Sequence, residues 1–250
     1  MKSELPVLYG IHPVEEAMAA GRRNIVTLYT TARPSGRIRR IADRAAAGRI
    51  PVEVLSADRL KTLAGTPAHQ GVCARVSAFA FADTDQLLAA DMAAPILVLD
   101  GLVDPRNVGA LIRTADCVGV SGIVLPKNRS APVTASVSMV SAGALEHCRV
   151  ARATNISRTL SRLKDAGRWV VGLDPTASQS IYSADLSGPL ALVVGSEEKG
   201  IRPLVRKNCD FRVSIPQQGR VDSLNVSVAG AVALYEIWRQ RQAAAGTGGF

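Results

Sequence analysis

Aromatic residues are scarce in this 250-residue chain, at 4% against a hydrophobic fraction of 47%. Its core must therefore be aliphatic, which suits helices stacked on a parallel sheet. Cysteine is thin as well: Cys73, Cys117, Cys148 and Cys209 stand far apart with no C-x-x-C pair, and His12, His69 and His147 are the only histidines. This excludes a disulfide framework and speaks against any metal site. No window approaches 18 uninterrupted apolar residues, and MKSELPVLYG has no signal-peptide apolar region, so the expectation is a cytoplasmic protein without a membrane span. Acidic residues are outnumbered, 21 against 30 Lys and Arg, giving a formal charge of +9 and a pI near 9.9. Because most of the cations are Arg, a phosphate-bearing partner, RNA or DNA, is favoured over a merely basic surface.

What is present alternates between strand and helix. LYGIHPVEEAMAAGRRN places Pro13 near a helix start and Gly21 near its end. The strand-like IVTLYT follows, then a basic helix from Ser35 to Ala47, the short strand PVEVL, a helix capped by Ser56, and the turn PAHQG before VCARV. This first α/β region ends near residue 77; its Arg22, Arg23, Arg33, Arg37, Arg39, Arg40, Arg44 and Arg49 read as a nucleic-acid grip, with a solvated basic face as the alternative. Residues 78–94 read as a linker with a helical turn. From residue 95 to 242 the pattern is a parallel-sheet domain: PILVLDGL, NVGALIRTADCVGV and SGIVLP form a β-loop-α-β unit. Helices at 133–144 and 155–166, strands RWVVGLD and PLALVVG, a short helix near 203–208, the strand FRVSI and a helix at 224–241 complete it, and residues 243–250 read as a disordered tail.

Three loops after apolar strands can carry chemistry, since open α/β sheets bind ligands at the carboxyl ends of their strands. In DPRNVGALIRTA, a helix starting near Asn107 would use it as cap, and Arg113, set among apolar neighbours, is expected to be buried against an anion. In GSEEKG, Gly195 and Gly200 allow close backbone approach to a ligand, and Glu197 is the better site candidate with Glu198 toward solvent. In IPQQGRVDSLNVSVAGA, Gly219, Asp222, Ser223 and Asn225 crowd a polar turn before a helix, where Ser223 would ordinarily be an N-cap. No His or second acid stands near Ser223, which excludes a hydrolytic triad.

Together DPRNVGALIRTA, VVGSEEKGI and SIPQQGRVDSLNVSVAGA resemble the three motifs of the SpoU (TrmH-like) RNA ribose 2′-O-methyltransferases of the SPOUT superfamily. LYGIHPVEEAM, HQGVCARV, VSAGALEH, ATNISRTL and ALYEIWRQR are similar to the subgroup that methylates a guanosine of bacterial 23S ribosomal RNA. The resemblance implies a smaller N-terminal α/β domain like ribosomal protein L30e, a flexible linker, and a C-terminal α/β-knot domain. Its parallel sheet would carry a deep trefoil knot, which ordinary topology rules exclude. It further implies S-adenosylmethionine as methyl donor, RNA as substrate, and a homodimer with the active site at its interface. By position, Asn107, Arg113, Glu197, Ser223 and Asn225 take the catalytic positions, while Val194, Gly195, Ser196, Gly200, Ile215, Pro216, Ser223 and Leu224 take the donor-binding ones. Glu198 departs from the Gly found in many relatives. Alternatives are a 2′-O-methyltransferase for transfer RNA or another ribosomal site, and a non-catalytic RNA-binding protein; the intact Asn107, Arg113 and Asn225 argue against the last.

Overall fold

The aliphatic runs do become strands, in two separate sheets. The computed structural model describes residues 5–89, 91–220 and 223–246; Asp222, one of the polar-turn candidates, lies outside the described residues, as do residues 247–250 of the expected tail. The chain divides into two units, Met1–Ala80 with Val133–His147, and Phe81–Pro132 with Cys148–Phe250.

The first unit holds β1 (Val7–Tyr9), α1 (Ile11–Ala20), β2 (Ile25–Thr30), α2 (Gly36–Ala47), β3 (Val52–Val54), α3 (Ala57–Ala64) and β4 (Val72–Val76). Its sheet runs β1-β4-β2-β3, antiparallel except between β2 and β3. Helix α2 buries Ile38, Ile41 and Ala45, the i, i+3, i+7 spacing that one face of a helix demands, and leaves Arg39 and Arg40 exposed on the other. Ser56 caps α3 by accepting from the Arg59 amide at 3.3 Å, as expected from sequence.

The second unit begins with α4 (Thr84–Leu88), closed by a capping box of Asp83 and Gln86, inside the stretch read as a linker. Leu87 of this helix is buried against Gly122, where a Cβ would lie 2.6 Å from the leucine Cγ. There follow β5 (Ile96–Asp100), α5 (Pro105–Cys117), β6 (Gly122–Pro126), α6 (Ala135–Val140), β7 (Val150–Ala153), α7 (Ile156–Asp165), β8 (Trp169–Leu173), β9 (Leu190–Gly195), α8 (Pro203–Lys207), β10 (Phe211–Val213) and α9 (Val226–Ala244). All but α6 belong to a six-stranded sheet of order β10-β8-β9-β5-β6-β7, parallel throughout, and to the helices packed on it. The central strands β5, β6 and β9 are buried along their whole length, which is why they read as unbroken apolar runs. Strands β1 and β7 escape the sequence patterns: the first has three residues, and VARA interrupts its apolar run with Arg152.

Helix α6 packs on α1 and β1 of the first unit. Met139 reaches Gly10, whose φ of +91° and lack of a side chain both matter there, since a Cβ would sit 2.6 Å from the methionine sulfur. In the same unit Arg23, counted above among the gripping arginines, is instead buried. Its Nε lies 2.8 Å from Glu146 Oε2, a close ion pair, while Ser138 donates to Glu146 Oε1 at 2.9 Å and the guanidinium stacks 5.0 Å from the Phe79 ring centre. Arg37 is likewise engaged, donating to Glu15. Arg33, Arg39, Arg40 and Arg49 are exposed, and their side chains have no hydrogen-bond or ion-pair partner among the described residues.

Candidate active site

The carboxyl ends of β5, β8 and β9 lie side by side in the second sheet, so the loops that leave them meet. The first loop ends at Asp104, whose carboxylate accepts from the Arg106 amide at 2.8 Å with Pro105 at the first helical position. Asp104, not Asn107, is therefore the cap of α5, and the Asn107 side chain is released for other work. Asp100, buried at the end of β5, accepts from the Arg202 amide at 2.9 Å and from its guanidinium, which pins the segment after the second loop to the first.

The second loop turns back on itself. Ser196 and Gly200 exchange backbone hydrogen bonds of 3.1 and 2.9 Å, and Gly200 has a φ of +60°. A Cβ on Gly195 would stand 2.1 Å from the Gly200 carbonyl carbon, so no residue but glycine fits this turn. In the third loop the cap of α9 is Asn225, whose Oδ1 accepts from the amides of Ser227 at 2.9 Å and Val228 at 3.4 Å. Ser223 is exposed and is not the cap.

One hydrogen-bonded chain joins the three loops. Asn225 Nδ2 donates to Asn107 Oδ1 at 3.2 Å, and Asn107 Nδ2 donates to Glu197 Oε1. The amide orientations follow from α9: Asn225 Oδ1 must accept from the helix, which leaves its Nδ2 to donate to Asn107 Oδ1 and turns Asn107 Nδ2 toward Glu197. The positive end of α9 is thus relayed through two amides to a carboxylate, each bond polarising the next. Glu197, the better site candidate of its loop, accepts from Asn107. Arg113 is exposed on α5, not buried, and has no partner among the described residues. The reason is helical: Val108, Leu111, Ile112 and Ala115 share the core face, and Arg113, though between two of them in sequence, points off it.

Beside this chain lies a cavity of about 330 Å³. Val194, Gly195, Ser196, Gly200, Ile215 and Leu224 line it, together with Glu197 and Ser223. Asn107, Asn225, Arg113 and Pro216 do not border it, the first two reaching it through Glu197. Asp174, Thr176 and Arg206 form a wall that the motifs did not reveal; the clue was the D-P-T that ends RWVVGLDPT, at the carboxyl end of a parallel strand. Asp174 accepts from the Thr176 amide and hydroxyl at 2.9 and 2.8 Å, from Arg212 at 2.8 Å, and lies 2.9 Å from Arg206 Nε. Burial would raise its carboxyl, but the Thr176 bonds and the two guanidiniums outweigh that and hold it below the usual range. Among the described residues no cluster of His, Cys, Asp or Glu could hold a metal ion, and no helix is long and apolar enough to cross a membrane.

Residues 94–235 match the model of the SpoU rRNA methylase family. The chain belongs to that family. Residues 7–82 match a second model, for RNA 2′-O ribose methyltransferase substrate binding. The 23S rRNA (guanosine-2′-O-)-methyltransferase RlmB of Shewanella oneidensis is 42% identical over 240 residues, covering 94% of this chain and 98% of its own. Among solved structures, the SpoU methyltransferase AviRb from Streptomyces viridochromogenes superposes with a TM-score of 0.83 at 25% identity, over 97% of this chain and 92% of its own. The AdoMet-bound rRNA methyltransferase from Sinorhizobium meliloti superposes with a TM-score of 0.81 at 25% identity, over 95% and 88%. This SpoU protein is therefore an RNA methyltransferase.

Proposed function

We propose that the protein methylates a ribose 2′-hydroxyl, that of a guanosine in bacterial 23S ribosomal RNA, with the methyl donor in the cavity beside Glu197. The observation that carries this reading is the Glu197–Asn107–Asn225 chain, which ties all three motif loops together beside one cavity. The residues fit the donor: apolar Val194, Ile215 and Leu224 suit an adenine, and Asp174, Thr176 and Arg206 suit its polar groups. The choice of a guanosine of 23S RNA as target rests on the RlmB relative, 98% of whose length the match spans.

Bound S-adenosylmethionine supplies an electrophilic methyl on a sulfonium. The chain's own task is to hold the ribose hydroxyl in line, a positioning effect worth roughly 7–11 kcal/mol in favourable cases. Arg113 orients ribose and phosphate and stabilises the developing alkoxide, while the proton leaves to phosphate or water; a guanidinium has no acceptor and stays protonated. Glu197 is a positioning residue, because a carboxylate against the sulfonium would favour the ground state over the transition state. Asn225 fixes the third loop through its bonds to the start of α9, while Ser223 lines the cavity.

Two further features belong to this reading. The segment after β8 grips the C-terminal stretch from two sides: Ser214 exchanges bonds with Gln179 and Ile181, and Gln240 of α9 bonds Ala184 and Leu186. This supports a knotted passage of the chain through that segment. Helix α9 buries Val226, Ala233, Leu234 and Ile237 yet also exposes Val228 and Tyr235, and a helix apolar on both faces fits a homodimer interface. A dimer would show twice the 26.3 kDa chain mass in light scattering, and a monomer at working concentration would remove it.

Two outcomes are expected. Gly195→Ala forces the loop open and should weaken calorimetric S-adenosylmethionine affinity by about tenfold or more; unchanged affinity would place the donor elsewhere. Removing both Arg39 and Arg40 should weaken RNA binding and reduce the slope of log K against log salt by about 2, one per phosphate contact. An unaltered slope would return α2 to a solvated face.

A further inference from the structure

The charged lining of the donor cavity is divided between two walls. On the loop after β9, two carboxylates, Glu197 and Glu198, line the cavity with one cation, Lys199. On the wall formed by the end of β8 and by α8, one carboxylate, Asp174, meets two guanidiniums, Arg206 and Arg212. The first wall thus carries a surplus negative charge and the second a surplus positive one.

The two arginines are not equivalent. Arg212 already neutralises Asp174 at 2.8 Å and does not border the cavity, whereas Arg206 does. Arg206 is held in place through Nε, 2.9 Å from Asp174, and through Nη2, which donates to Thr176 Oγ1 at 2.7 Å. Neither contact uses Nη1. A guanidinium fixed by two contacts, with a donor to spare and more charge around it than its carboxylate requires, is prepared for a second anion. A plain helix-to-strand salt bridge would need only one arginine.

S-adenosylmethionine carries one anionic group, the carboxylate of its amino-acid end. We propose that Arg206 binds this carboxylate, setting the amino-acid end of the donor against the Asp174 wall and the reacting end toward the loop that carries Glu197. The inference rests on the cavity being the donor site. It makes Arg206 a binding residue that selects donors and products bearing a free carboxylate.

The test uses two thioether probes that differ in the amino-acid end: S-adenosylhomocysteine, which has the carboxylate, and 5′-methylthioadenosine, which lacks it. Arg206→Met should weaken S-adenosylhomocysteine by about 10- to 100-fold, the range for hydrogen bonds to a charged group, and change 5′-methylthioadenosine less than about twofold. Arg206→Lys should recover part of the loss, since it keeps the charge without the planar fork. Equal losses for both probes would mean that Arg206 only supports the wall, and an undiminished S-adenosylhomocysteine affinity would also overturn the assignment. Gly195→Ala separates the two readings: if it weakens both probes while Arg206→Met spares them, the cavity stands and the Arg206 role falls. If Gly195→Ala spares both probes, the cavity reading itself fails and the assignment goes with it.

Discussion

Arg113→Ala is expected to slow single-turnover methyl transfer by about 10²- to 10³-fold, the usual cost of removing one preorganised donor from a developing oxyanion. The expectation follows from what the side chain does not do. The Arg113 side chain is exposed, has no partner among the described residues and does not border the cavity beside Glu197, so its loss disturbs neither packing nor that cavity. Calorimetric S-adenosylmethionine affinity should therefore stay within several-fold. Arg113→Lys should fall between, because an ammonium keeps the charge but loses the planar fork that holds ribose and phosphate together. A near-normal single-turnover rate in Arg113→Ala would remove the residue from the reacting centre.

Arg23→Ala should destabilise the first unit by about 3–5 kcal/mol at neutral pH, the cost of leaving one member of a buried ion pair alone. Arg23 and Glu146 have side-chain exposures of 5% and 1%, so water cannot replace the missing partner. Burial already pushes the Glu146 carboxyl above the usual range, against the opposing pull of Arg23 and Ser138. Without Arg23 it rises further. A carboxyl raised in the folded state costs stability as pH climbs through its folded value and costs nothing below its unfolded one, so the defect should shrink as the solution is acidified. Hydrogen exchange of Ile11–Ala20 and Ala135–Val140 reads this locally, and pairing Arg23→Met with Glu146→Met should restore most of the protection. Unchanged exchange in Arg23→Ala would mean that the pair does not hold α6 in this unit.

Much of the second sheet was legible because strands buried on both faces must be apolar throughout; β5, β6 and β9 fall where the sequence placed them. The caps were harder, because Asp104, Asn107, Ser223 and Asn225 are all good capping types and only the first turn decides among them. Pro105, at the first helical position, was the overlooked sign. Arg113 was expected inside because its neighbours in sequence are apolar, but a helix separates adjacent residues by 100°. Of the Asp174–Arg206 wall only the D-P-T after β8 left a sign in the sequence; its pairing with Arg206 was not legible, because the two residues are far apart in sequence and meet only through the fold. The placement of α6 and Glu146 with the first unit is equally non-local, resting on the packing of α6 against α1 and β1 and on the ion pair of Glu146 to Arg23.

The most direct measurement is to incubate the protein with labelled S-adenosylmethionine and bacterial ribosomal RNA, hydrolyse the RNA in alkali and map the linkage that resists. The predicted result is a single resistant linkage at one guanosine of 23S RNA. Label on a base with every linkage still cleaved, or no incorporation into any RNA, would contradict ribose methylation by this protein.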